Sequence, residues 1–251
     1  MEIKVLSKAL NILEFIAGRG DTPTIAKELL LAIPDLTQPT CVRLLKMLCE
    51  AGYLEQLPHR KSYIPGPLAY FLGGGRVYRS ELVGVARPVL KDFVQATGQS
   101  VLLTVRHGMF RTIPLGINAA EGVKLDFSRP RYCDLTLSTT GRLLLSNMPE
   151  NLRRDYFARF GFPSGEGWGD APSPEEVSAV LDSMKAQGFL LSHHGGRGVG
   201  AAAIPIDGQT EAALGCVWND IFRHREEEFM DHLRQSAGKI SDALSKGGIV
   251  G

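Results

Sequence analysis

The chain has 251 residues, 44% of them hydrophobic and 22% charged, which is enough apolar material for a core and excludes a largely disordered chain. Its formal net charge of +1 argues neither for nor against nucleic acid, so any DNA-binding surface must be a local patch. There is no run of 18 apolar residues and no basic start followed by an apolar stretch, so a soluble, cytoplasmic protein with no membrane partner is expected.

In chain order, apolar residues from Val5 to Ala17 recur at helical spacing and stop at Gly18 and Gly20. Thr22-Pro23 reads as a cap and first turn, opening a second helix that runs to about Leu31. Ile33-Pro34-Asp35 breaks it, and a third helix follows from about Thr37 to Gly52. Tyr53–Leu57 and Ser62–Ile64 then read as strands joined by a turn containing His59-Arg60-Lys61. The Pro- and Gly-rich stretch that follows marks a boundary, which divides the chain into 1–66, a linker over 67–79, and 80–251.

Beyond the linker, Leu82–Thr97 reads as helix, Ser100–Val105 and Met109–Leu115 as paired strands, and Val123–Phe127 as another strand. Helices are expected over Thr139–Asn147 and Asn151–Phe160, and Trp168–Pro172 as loop. Ser173-Pro174-Glu175-Glu176 is a capping box with proline inside, and Gly188 closes its helix. Val199–Ile206 and Thr210–Asn219 form a hairpin about Asp207-Gly208, and a last helix shows Phe229, Leu233, Ala237, Ile240 and Leu244 on one face. The fold class is α+β, with an antiparallel sheet in the second part.

The third helix divides cleanly. At 100° per residue, Cys41, Leu44, Leu45, Leu48 and Cys49 share one face, while Pro39, Thr40, Arg43, Lys46, Met47 and Glu50 share the other. A recognition helix needs this division, with one face held in a small core and the other free to enter a major groove. Arg43 offers a fork for guanine, Gln38 one for adenine, and Thr37, Thr40 and Lys46 can reach bases or phosphates. His59, Arg60 and Lys61 would lie on the backbone as a wing. The order of three helices and a two-stranded wing is winged helix-turn-helix architecture, and the partner it implies is double-stranded DNA.

Several segments together resemble the IclR family of transcription regulators: "SKALNILEFIAG" at Ser7, "PTCVRLLKMLCEAGYLE" at Pro39, "ARPVLKDFVQATGQSVLLTV" at Ala86, "LSTTGRLLLS" at Leu137, "KAQGFLLS" at Lys185 and "GVGAAAIPI" at Gly198. The resemblance implies an N-terminal winged helix-turn-helix domain, a linker helix and a GAF-like effector-binding domain. It also implies an operator, a small organic-acid, sugar-derived or aromatic effector, and assembly as a homodimer or dimer of dimers. The sequence departs from the family pattern in several places, and Pro39 stands where the family often has serine. "LLLAIPDL" lengthens the turn between helices two and three. Ser192-His193-His194-Gly195-Gly196 replaces an acidic cluster. Ala201 and Cys216-Val217-Trp218 stand at pocket positions usually filled by other residues.

The resemblance places the effector between the start of the "STTGR" helix and the strands near Ser192, Ala201 and Trp218. Helix N-termini suit carboxylates independently of any family, and Ser138, Thr139 and Thr140 add hydroxyls there. His193 would add a donor, Trp218 a flat wall, and Cys216 lies between them in the same set.

Other chemistry finds little support. None of Cys41, Cys49, Cys133 and Cys216 forms a C-x-x-C pair, and His193 and His194 point to opposite sides of a strand, so no metal is expected. The run from Gly195 to Gly200 lacks the Gly-Lys-Ser/Thr of a phosphate loop and the following helix of a dinucleotide fold, so no cofactor is expected. No hydrolase motif appears, and an enzyme is not expected. The rival reading is a small-molecule-binding protein or hydrolase with an N-terminal interaction module, Cys216 and His193 supplying nucleophile and base.

Overall fold

The structure, a computed structural model, describes residues 4–20, 22–58, 61–73, 80–127, 131–165, 168, 173–206 and 208–247. Two compact units divide it, Met1–Tyr78 with Asp126–Pro130, and Arg79–Leu125 with Arg131–Gly251.

The first unit comprises α1 (Lys4–Ala17), β1 (Thr24–Ile25), α2 (Ala26–Ala32), α3 (Gln38–Glu50), β2 (Leu54–Leu57), β3 (Ser62–Pro65) and α4 (Pro67–Gly73). Ile12, Ile16, Leu29, Cys41, Leu44, Leu45 and Leu54 form its core. The second helix starts later than Thr22-Pro23 suggests. Thr24 is fully buried and pairs with Tyr63, which makes a third strand in the order β1-β3-β2. The Glu28 carboxylate then accepts the Ile25 N–H at 2.9 Å, and that bond holds its carboxyl below the ordinary range. Between α2 and α3, Ile33 and Leu36 turn inward to the core, and Asp35 adopts a positive φ of 58°. The stretch read as a linker opens with α4, which is tied back by the Leu68 N–H to Gly52 O at 3.0 Å. Residues 74–79 lie outside the described residues.

The second unit comprises α5 (Ser80–Thr97), β4 (Ser100–His107), β5 (Phe110–Ile117), α6 (Thr139–Ser146), α7 (Glu150–Phe160) and α8 (Pro174–Gln187). It continues with β6 (Phe189–His194), β7 (Arg197–Ile206), β8 (Gln209–Asn219), a 3-10 turn (Asp220–Arg225) and α9 (Glu226–Gly247). The strands form one antiparallel sheet in the order β5-β4-β8-β7-β6. The capping box stands as read: Ser173 Oγ accepts the Glu176 N–H at 3.2 Å, Glu176 accepts the Ser173 N–H at 2.7 Å, and Gly188 closes the helix in the left-handed region. Val123–Phe127 is not a strand. Asn118 holds Leu125 by both backbone groups, at 2.7 and 3.1 Å, so side-chain bonds replace a ladder there.

Side-chain alternation sorts the sheet into two faces. Val101, Leu103, Ala202, Ile204, Ala212, Leu214, Cys216 and Trp218 pack with α5 and α9, together with Leu90, Phe93, Phe229 and Leu233. Ala201 and Ala213 lie on the other face, under Leu143 and Leu144 of α6. Glycine permits close approach on both faces. A Cβ at Gly215 would lie 2.6 Å from Thr140 Cγ2, and one at Gly198 would lie 2.2 Å from Trp218 Nε1.

Trp218 is fully buried and sits 5.4 Å from the Phe229 ring between centroids. Trp218→Ala is therefore expected to cost about 3–5 kcal/mol of stability. Urea unfolding should show this as a lowered midpoint.

Candidate functional site

The outer face of α3 is open. Thr37, Gln38, Arg43 and Lys46 are exposed, and Thr40 is half-buried with Thr37 Oγ1 donating to its hydroxyl at 3.0 Å. Burial of Cys41, Leu44 and Leu45 on the opposite side fixes this orientation. Lys46 reaches Glu50 one turn on at 3.7 Å, an exposed pair that dilutes the positive charge of the face. Lys61 is exposed with φ 46°, at the turn leading into β3. His59 and Arg60 lie outside the described residues.

In the second unit, a cleft of about 880 Å³ opens at the start of α6. It is bordered by Ser138 and Thr139, by Ser192 and His194 of β6, by Arg142, and by the rings of Tyr156, Phe160, Phe162 and Trp168. Ser138 caps α6, its hydroxyl accepting the Gly141 N–H at 3.2 Å. The Thr139 and Ser192 hydroxyls share a hydrogen bond of 2.7 Å that joins helix to strand.

One carbonyl organises the cationic and aromatic side of the cleft. Thr136 O accepts both Arg142 Nε and Trp168 Nε1 at 3.0 Å. The Arg142 guanidinium lies 5.3 Å from the centre of the Trp168 ring, within cation–π range. Burial pushes the Tyr156 phenol above its ordinary range, and hydrogen bonds with Thr136 oppose that shift. The result is a fixed cation, a set of hydroxyls and several aromatic rings around one cleft. Such an arrangement suits a small molecule with an acidic end and an apolar body. A second, smaller cavity of about 380 Å³ lies between α7 and α8, and Phe162 borders both.

The residues expected to bind effector are only partly brought together. Ser138, Thr139 and Ser192 border the cleft, whereas Thr140 is buried against the sheet at Gly215. Ala201 is fully buried beneath α6. Cys216 and Trp218 face α5 and α9 on the far side of the sheet, which corrects their assignment to the pocket wall. His193 also leaves on the far face, where Nε2 meets Glu226 Oε2 at 2.7 Å, and its neighbour His194 borders the cleft in its place. Burial pushes the Cys216 thiol far above its ordinary range, so it supplies no thiolate near neutral pH to the rival nucleophile reading. Sequence reasoning missed Arg142, Trp168 and His194. For His194 the signal was present: Ser192 and His194 share a face by alternation, and His193 does not. Trp168 comes from a loop, where no periodicity marks it.

No protein-family model matches the chain. The HTH-type transcriptional regulator BhcR of Paracoccus denitrificans (strain Pd 1222) is 30% identical over 223 residues, covering 84% of this chain and 76% of that protein. An IclR homologue from Microbacterium hydrocarbonoxydans, crystallised with 4-hydroxybenzoate, superposes with a TM-score of 0.74 at 20% identity, over 96% of this chain and 99% of that one. The Thermotoga maritima IclR structure superposes with a TM-score of 0.64 at 19% identity, over 97% of this chain and 100% of that one.

Exposure of the four free thiols differs, and alkylation reads it directly. Cys133, exposed at the cleft, should react with iodoacetamide in the native protein, while buried Cys41 and Cys216 should react only after unfolding. Peptide mass spectrometry of timed samples checks the order.

Proposed function

The chain belongs to the IclR family and is a DNA-binding transcription regulator, and from that premise we propose that its operator binding responds to a small organic-acid, sugar-derived or aromatic metabolite held in the cleft at the start of α6. The observation that carries this reading is the Arg142–Trp168 pair bordering the same cleft as the Ser138, Thr139 and Ser192 hydroxyls. A carboxylate would lie toward the arginine and the hydroxyls, and a ring toward Phe160 and Phe162. The homologue bound to 4-hydroxybenzoate makes that acid the first probe.

In this reading α3 enters the major groove. Arg43, Gln38, Thr40, Thr37 and Lys46 face the DNA, and Lys61 lies on the phosphate backbone with His59 and Arg60 beside it in sequence. A single recognition helix contacts few bases, so the working form is a homodimer, or a dimer of dimers, with half-sites about 34 Å apart or a multiple of that. The divide between the DNA-binding and effector parts falls over residues 67–79. A cytoplasmic location follows from the same reading. The effector acts by preferring one dimer geometry over another.

Thermal-shift titration with 4-hydroxybenzoate, pyruvate and gluconate tests the effector reading. An acid present at about 100 times its Kd adds about 2.7 kcal/mol to stability. It should also slow alkylation of Cys133, which borders the cleft. An acid that stabilises the protein without protecting Cys133 binds elsewhere.

Gel-shift titration tests the DNA reading. Arg43→Ala should cost about 1–3 kcal/mol on the specific operator and relax preference at one base position. Lys61→Ala should weaken all sequences alike and flatten the salt dependence. An Arg43→Ala protein with unchanged affinity and base preference would remove α3 from the groove.

A further inference from the structure

Arg111 of β5 is 6% exposed. Its Nε donates to Asp134 Oδ1 at 2.8 Å and its Nη2 to Oδ2 at 2.7 Å, a two-pronged pair. Backbone bonds run both ways between Arg111 and Tyr132, at 3.0 and 2.8 Å, and the guanidinium lies 4.7 Å from the centre of the Tyr132 ring. The remaining Nη1 is buried and meets no acceptor among the described residues. A side chain selected only to fill this space would not bury an unused donor, so the fork to Asp134 is what the arginine is there to make.

Asp134 in turn carries the approach to α6. Its carbonyl accepts the N–H groups of Leu137 and Ser138 at 2.9 and 3.1 Å, and the Ser138 hydroxyl at 3.3 Å. It also lies hard against the helix. A Cβ at Gly141 would be 2.8 Å from Asp134 O and from Leu135 Cα. Cys133, Thr136, Leu137 and Ser138 of this segment border the cleft, and Thr136 holds both Arg142 and Trp168. A shift of Asp134 is therefore passed to Ser138, to Thr136 and to the cation and ring they orient.

We propose that Arg111, which does not border the cleft, is its positioning residue: by forking Asp134 it sets the wall from which Ser138, Arg142 and Trp168 meet the effector. The proposal rests on the cleft being the effector site only for its consequence on ligand binding. Its mechanical part stands without a ligand.

Hydrogen–deuterium exchange on the full chain tests it, using Arg111→Lys, which keeps the charge but loses the fork, and Asp134→Asn, which keeps the shape. Both variants should speed exchange over residues 131–138 by about tenfold or more while the β4, β7 and β8 amides keep their protection. Calorimetry with 4-hydroxybenzoate should show weaker binding to both variants by a similar factor, with operator binding in the absence of the acid unchanged. A purely structural arginine would loosen the whole sheet together, and that pattern overturns the proposal. Unchanged exchange over 131–138 overturns it as well. Should the unmodified protein bind neither 4-hydroxybenzoate, pyruvate nor gluconate, the effector reading falls, and the exchange pattern alone decides the role of Arg111.

Discussion

Successive side chains along a strand leave on opposite faces, and in the C-terminal unit this alternation divides the work of the sheet. The even-numbered residues of β7 and β8 face α5 and α9, and there Trp218, Cys216, Leu214 and Ile204 build an apolar layer with Phe229 and Leu233. Neighbouring positions face α6, where Gly215 has no side chain and Ala201 and Ala213 have small ones. The helix therefore settles close to the strands, and its first turn is left at the mouth of the cleft. Shifting the register of one strand by a single residue would exchange the two populations and remove both the core and the site.

The same rule explains how far the sequence could be read. Long periodic stretches gave their elements directly: α3, α8 with its capping box, and α9 with Phe229, Leu233, Ala237 and Ile240 on one side. Each carries both a period and a punctuating cap or glycine. The residues expected to bind effector follow from nearness in sequence and family position, and so mix the two faces. Ser192 borders the cleft, while His193, Cys216 and Trp218 belong to the layer behind it. Arg142 lies in the "LSTTGRLLLS" segment, yet its placement depends on the Thr136 carbonyl and the Trp168 ring, and no local pattern joins those three residues. Val123–Phe127 failed for a related reason. Its residues suit a strand, but Asn118 claims the backbone of Leu125.

The N-terminal unit shows how a small domain absorbs an irregular connection. A helix-turn-helix is commonly joined by about 3–4 residues, and here the chain from Ile33 to Thr37 lies between the two helices. The added length is not left in solvent. Ile33 and Leu36 are buried, and Asp35 turns the chain through the left-handed region between them. The turn thus joins the core that holds Leu44 and Leu45 inward and Arg43 outward. The angle at which α3 is presented depends on these two anchors as much as on the helix itself.

The hydrogen bond between Thr139 and Ser192 has no fixed direction, since either hydroxyl can supply the proton. When Thr139 donates, the Ser192 proton is released toward a visiting oxygen, and when Ser192 donates, its lone pairs are what a visitor meets. The exchange moves two protons and no heavy atom. This border of the cleft is therefore amphoteric: it can receive a carboxylate or an alcohol without rebuilding itself. The parts of the cleft that cannot reverse in this way are the guanidinium of Arg142 and the rings around it.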